Sequence, residues 1–189
     1  MARTLLYLVR HGEQDPAGVE ADTGLCSLGV EQAHRLGRRL AAVDFAQIHH
    51  SPLARAAQTS EVLAHHLPRV PRHVCDMVAD RTPAPSPARQ GDYPARWLPW
   101  LDNVPEQERD EDAADLRGAV AHFGAVGEED RSELLVTHNF VIGWFVSHAL
   151  RAPMWSWMNL DSANCGLTTV RWENGQAPKL VAFNDTGHL

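Results

Sequence analysis

Apolar residues along this chain come in short runs that stop abruptly at polar ones. Thr4 to Val9 is the first, closed by Arg10, His11 and Gly12. A run this short, ended by glycine, predicts a buried strand. Asp15 to Leu25 holds Pro16, Gly18 and Gly24 and predicts a loop. Ser27 then opens a helical period running to about Val43. Leu28, Ala33, Leu36 and Leu40 fall on its inner face, and Glu31, Arg35, Arg38 and Arg39 on its outer face. Phe45 to His49 predicts a second strand. Ser51-Pro52 reads as a helix cap and first helical residue. The helix it opens carries Leu53, Ala56, Ala57, Val62 and Leu63 inward and stops before Pro68.

Val70 to Met77 predicts a third strand, after which the texture changes. Residues 79 to 99 hold Pro83, Pro85, Pro87, Pro94 and Pro99. That density rules out a helix or central strand and predicts a long loop, the kind that often serves function. The acidic run Glu106 to Asp115 reads as the solvated start of a helix over Ala113 to Val126. Glu133 to Val136 is a strand, followed at once by Thr137, His138, Asn139 and an apolar helix over Phe140 to Leu150. Residues 153 to 160 predict a further helical turn or two. Leu167 to Trp172 and Lys179 to Phe183 are strands joined through Asn174-Gly175, a hairpin-turn pair. Strands alternating with helices predict a three-layer α/β/α sandwich with a mainly parallel central sheet of about six strands and an antiparallel final pair.

Composition narrows the picture. The 189 residues suit a single domain, here 1–189, with a loop and helix insertion at about 78–131 expected to cap a site. A net charge of -7 argues against general nucleic-acid binding, which needs clustered Lys and Arg, yet leaves room for a small positive pocket. Cys26, Cys75 and Cys165 are odd in number and widely spaced, so neither a disulfide framework nor a zinc site is expected. The first apolar run is too short to span a membrane, and a cytoplasmic protein is the expectation. An edge strand near the C-terminal hairpin leaves self-association open.

Three segments share one grammar: LVRHGE, SPLARAAQT and VTHN each put polar residues just after an apolar strand. Ligands of open α/β sheets bind beyond the carboxyl ends of the strands. Arg10, His11, Arg55 and His138 are therefore expected on one rim, two of these segments also starting helices there, where unpaired N–H groups favour anions. Arginine forks bind phosphate oxygens and stay charged. A neutral histidine attacks phosphorus while a second donates hydrogen bonds. That set needs no metal. His49, His50, His65, His66 and His148 read as structural, and Glu13 as a brace for its loop. Trp97 and Trp100 read as packing, with lining the site as the alternative.

These three signatures resemble those of the histidine phosphatase superfamily, the phosphoglycerate-mutase-like proteins, over most of the chain. The stretch from THNFVIGWFVSHALRAP through SANCGLTTV to FNDTGHL is similar to the branch holding the mitochondrial phosphoglycerate-mutase-like Ser/Thr phosphatases and their bacterial relatives. The resemblance implies that His11 is phosphorylated, that Arg10, Arg55 and His138 hold the phosphate, and that the backbone at Asn139 adds an N–H. It also implies an acid in the loop after the third strand. Asp80, in ADRTPAPSP, is the candidate, with Asp76 and Asp92 as rivals. A free Asp titrates near 3.9, so this role requires enclosure that raises it. Ala17 stands where many mutases carry Asn, and THN replaces the commoner Ser-His-Gly. The mutases' longer aromatic and basic insert is also missing, which favours hydrolysis. No cofactor is implied, and the substrate is a small phosphorylated molecule or a phosphoprotein. A mutase, a phosphohistidine phosphatase and a non-catalytic phospho-ligand-binding protein are the alternatives.

Overall fold

The computed structural model describes residues 2–16 and 22–189. Gly18 and Ala17 lie outside the described residues. Eight strands and five helices are formed among those described: β1 (Arg3–Arg10), α1 (Ser27–Leu40), β2 (Gln47–His50), α2 (Ala54–His66), β3 (Arg72–Val74), β4 (Thr82–Ala84), α3 (Leu98–Leu101), β5 (Arg109–Glu111), α4 (Ala114–Phe123), β6 (Arg131–Thr137), α5 (Asn139–Ala149), β7 (Leu167–Glu173) and β8 (Lys179–Asp185). The central sheet is six-stranded in the order β3-β2-β6-β1-β7-β8. β3, β2, β6 and β1 run parallel, β7 is antiparallel to β1, and β8 to β7.

Alternation along β1 splits the core in two, because successive strand side chains point to opposite faces. Leu6 and Leu8 join a cluster with Phe123, Ile142 and Phe145 of α4 and α5. Val9 joins Leu36, Leu40 and Leu63 of α1 and α2, with Tyr7 packed against them. Helices thus cover both faces, the expected three layers. The register sets Arg10 beside Thr137 and His50 beside Val136. Three strand ends therefore reach one rim together.

Several boundaries differ from expectation. α1 stops at Leu40 rather than near Val43, its cap position is Cys26 rather than Ser27, and Leu28 is 53% exposed rather than in the core. The second strand extends to His50 and leaves out Phe45, which is buried below α1. Ser51 is not the cap of α2. Its N–H still donates to Val136 O (3.0 Å), continuing the sheet, and the helix begins at Ala54 after Leu53. β3 is only Arg72–Val74, and Asp76–Val78 turns off it. Within the proline-rich stretch, β4 pairs parallel with β5 in a separate two-stranded sheet. Pro83 is tolerated there because so small a sheet has only edges. In the acidic run, Asp110 is buried rather than solvated. Its carboxylate accepts from Asp115 N and Leu116 N, both at 3.0 Å, and so caps α4.

Candidate active site

The rim is built on close backbone packing. A Cβ on Gly29 of α1 would lie 2.1 Å from Glu13 O, and one on Gly12 would lie 2.6 Å from Gly29 O. Only two glycines let the helix rest on the turn that follows Arg10 and His11. Gly12 N donates to Thr59 Oγ1 (2.9 Å), and Thr59 Oγ1 donates to Arg55 O (2.7 Å), so α2 is tied to the same turn. His11 N donates to Thr137 O (3.0 Å), continuing the β1–β6 ladder past the strand end.

Arg55, the second residue of α2, is where the groups meet. Its Nε donates to His11 Nε2 (3.2 Å), and its Nη2 donates to Asp80 Oδ2 (2.7 Å) and lies 3.3 Å from His138 Nδ1. Its Nη1 lies 3.5 Å from Asp22 Oδ1. Both Asp22 oxygens accept from Ala54 N, at 2.8 and 2.7 Å, so a carboxylate occupies the N-terminus of α2. The rings of His11 and His138 have centroids 5.2 Å apart. His138 Nε2 lies 2.8 Å from Ser51 Oγ, and His138 Nδ1 is 3.3 Å from Asp80 Oδ2.

His11 Nδ1 lies 2.8 Å from Gly12 O, a partner that can only accept. That contact puts the proton on Nδ1 and leaves Nε2 unprotonated, its lone pair accepting from Arg55 Nε. Burial, with help from Arg55 and Arg10, lowers the His11 pKa from 6.5 to about 4 against the opposing pull of the Gly12 carbonyl. The ring is a neutral base at neutral pH. His138 is lowered too, by burial first and then by His11, Arg55 and Arg10. The nearby Asp80 carboxyl does not offset that burial. Asp80 itself is raised above the usual carboxylate range. Burial raises it most and Glu108 adds to the rise, while Arg55 opposes.

The positioning of Asp80 is traceable. Thr137 Oγ1, at the end of β6, donates to Val78 O (2.7 Å), which fastens the turn two residues before the acid to the strand that ends in His138. The rivals stand elsewhere: Asp76 is exposed in the preceding turn, and Asp92 is paired with Arg89 at 2.9 Å.

Arg10 leans toward the segment before β7. Its Nη1 donates to Ser162 O and lies 3.7 Å from Asp161 Oδ1. Asn139 contributes its side chain, whose Oδ1 accepts from Ser162 N (2.8 Å). Its backbone N–H, expected to meet phosphate, belongs to the first turn of α5, where N–H groups have no intrahelical partner. Asn164 Nδ2 donates to His11 O (3.0 Å), and Cys165, in the left-handed region at φ 55°, donates its N–H to Arg10 O (2.9 Å). The structure therefore brings His11, Arg55, His138 and Asp80 into direct contact, with Arg10 and Asn139 braced on one flanking loop.

Asp22, Ser51, Ser162 and Asn164 were not singled out from sequence for these roles. Ser51 carried a local signal, but that signal pointed to a helix cap. The pairing of Asn164 with Gly166 just ahead of a strand hints at a tight turn, not at its contact with His11. Trp97 is half-buried. Trp100 is 44% exposed and packs edge-on against Phe140, with ring centroids 5.7 Å apart. His50 is buried with Nδ1 2.9 Å from Ser51 O, and His49 pairs with Glu133 at 3.5 Å, both structural. The cysteines are free, and among the described residues no cluster of three or more metal-ligating side chains occurs. No helix among them is long and apolar enough to cross a membrane.

Comparison with known proteins bears on this geometry. The sequence profile described as "Histidine phosphatase superfamily (branch 1)" matches residues 6–186. The chain is 31% identical over 188 residues to the mitochondrial serine/threonine-protein phosphatase PGAM5 of Rattus norvegicus, covering 97% of this chain and 63% of that protein. It thus spans under two thirds of that relative's length. It is 25% identical over 191 residues to a probable phosphoglycerate mutase, GpmB, of Proteus mirabilis, covering 89% and 85% of the two chains. Among solved structures, a mycobacterial glucosyl-3-phosphoglycerate phosphatase superposes with a TM-score of 0.72 at 24% identity, covering 96% of this chain and 99% of that one.

Proposed function

The chain belongs to the histidine phosphatase superfamily, and on that premise we propose that it hydrolyses phosphate monoesters through a phosphohistidine on His11. The observation that carries this reading is the Arg55 fork, which touches His11 Nε2, His138 and Asp80 at once. A guanidinium already holding the oxygens of Asp80 and Asp22 has the geometry that phosphoryl oxygens need. In the first step the lone pair of His11 Nε2 attacks phosphorus in line. The P–N bond forms as the P–O bond to the leaving group breaks, and protonated Asp80 delivers its proton to the departing oxygen. Arg10, Arg55 and His138 hold the equatorial oxygens, so the positive charge for the transition state comes from side chains. In the second step Asp80, now a carboxylate, takes a proton from water. The water oxygen bonds to phosphorus, the P–N bond breaks, and inorganic phosphate leaves with His11 restored.

Residues 78–131 serve in this reading as a cap that begins at the acid and limits solvent around it. Hydrolysis is favoured over mutase chemistry because the segment after Asp80 is the short, proline-rich β4 region. The substrate is a small phosphorylated molecule or a phosphoprotein, the latter in keeping with the name of the PGAM5 relatives, and the leaving group is its hydroxyl.

The test is hydrolysis of p-nitrophenyl phosphate in excess EDTA by the native protein and by His11→Ala, with an alkaline quench to trap labelled enzyme. The expected result is EDTA-insensitive turnover and an acid-labile label, both abolished in His11→Ala. Phosphate binding without turnover would replace this reading with a phospho-ligand-binding protein.

A further inference from the structure

One groove lies away from this chemistry, at the other end of α5. That helix starts beside His138 and runs about 16 Å to its C-terminus. There, with α4, β7 and the β7–β8 connection, it encloses a cavity of about 750 Å³. This is within the usual range for small-molecule sites. Val120, Trp144, Met154, Trp172 and Pro178 supply apolar walls.

Its charge is the opposite of the chain's. The protein carries a net charge of -7, yet Arg117 and Arg151 line this groove and no carboxylate does. Both arginines are exposed, and neither side chain forms an ion pair or hydrogen bond among the described residues, although Arg117 is close enough to Asp112 to help lower its pKa. His148, between them on the wall, is lowered by burial and by Arg151, so it adds a polar neutral ring rather than a third charge.

The backbone at Arg151 supplies a second, independent observation. α5 ends in a paired closure, with Ala152 N donating to Ser147 O (2.9 Å) and Arg151 N to His148 O (3.0 Å). That closure puts Arg151 in the left-handed region at φ 51°. Glycine or asparagine fits this position without steric cost, and arginine does not. A strained residue whose side chain lines a cavity points to use of that side chain.

We propose that this groove is a binding site for a small amphipathic anion, a carboxylate on an apolar body. Its hydrocarbon part lies on Trp144, Trp172 and Met154, and its carboxylate meets Arg117 and Arg151. The site is separate from the phosphate rim, so its occupant does not compete with phosphate. The proposal stands whether or not the protein is a phosphatase.

The experiment is calorimetric titration with decanoate, with decyltrimethylammonium as the opposite-charge control, repeated in saturating inorganic phosphate. The variants are Arg151→Gly, Arg117→Gln and the pair together. Arg151→Gly relieves the left-handed strain, so its thermal midpoint is expected to stay or rise and a lost affinity is not a folding defect. The expected result is one decanoate per chain, unaffected by phosphate and weakened about ten-fold or more in the double variant. Equal binding of the cation, displacement by phosphate, unchanged affinity in the double variant or absence of saturable binding would each overturn the proposal.

Discussion

Asp80→Asn separates acid chemistry from simple phosphate binding. The change keeps the size of the side chain and its contact with Arg55 Nη2, now 2.7 Å from a carboxylate oxygen, but removes the transferable proton. General acid catalysis contributes about 10²- to 10⁴-fold, equivalent to roughly 3–5 kcal/mol of barrier. That loss is expected on an alkyl phosphate, whose alkoxide cannot depart unprotonated. Nitrophenolate departs without a proton, so phosphorylation of His11 by p-nitrophenyl phosphate is expected to stay fast in the variant. Release of phosphate from His11 still lacks its base. Stopped-flow measurement should show a burst of nitrophenolate near one equivalent of enzyme, followed by a slow steady state. Folding is not expected to suffer. Burial raises the Asp80 pKa, so ionised Asp80 costs the native state stability at neutral pH, and a neutral amide removes that cost. A variant as active as native protein on the alkyl phosphate would refute the role of Asp80. So would an equal loss on both substrates with no burst.

Three further outcomes follow from the same geometry. The His11 pKa falls from 6.5 unfolded to about 4 folded, so between those values the unfolded chain binds a proton the native state does not; stability should decline by about 3 kcal/mol as pH drops across that window, and chemical denaturation should show a shallower decline in His11→Gln. Thr137→Val leaves Val78 O without its 2.7 Å donor and should cost about 1–3 kcal/mol in urea unfolding, with kcat falling more on an alkyl than on an aryl phosphate because the turn carrying Asp80 is loosened. Gly29→Ala places a methyl 2.1 Å from Glu13 O and should destabilise the fold by about 1–3 kcal/mol, with activity falling as α1 is pushed off the turn after His11; a thermal midpoint equal to the native one would contradict the packing.

What the chain revealed in advance was the part governed by local pattern. The alternation of Leu6 and Leu8 against Tyr7 and Val9 marks a strand covered on both faces, and both clusters are found. The strand-then-polar grammar placed Arg10, His11, Arg55 and His138 on one rim because parallel strands end together. Ser51 shows where local pattern misleads. Its hydroxyl lies 2.8 Å from His138 Nε2, and the N-terminus of α2 is met instead by Asp22. No local propensity encodes a cap supplied from a separate loop. Asp110 shows the converse, since an acidic run looks solvated until α4 folds back onto it and uses one carboxylate as a cap.

The proposed chemistry depends on something no motif spells out, which is enclosure. In water His11 would be partly protonated near neutral pH and Asp80 would be ionised, the wrong form of each for attack and for proton donation. The same burial acts on both in opposite directions along the pH scale, lowering His11 to about 4 and raising Asp80. Both groups move toward neutrality, which leaves a lone pair on one and favours a proton on the other. After burial, Arg55 works against that for Asp80 and for it at His11. Negative charge brought in by a bound phosphoryl group would draw on Arg55 and weaken its hold on Asp80, raising the acid further at the moment it must donate. The spacing of RHG, SPLAR and THN brings the residues to one rim. The burial around that rim moves them toward the protonation states the proposed reaction needs.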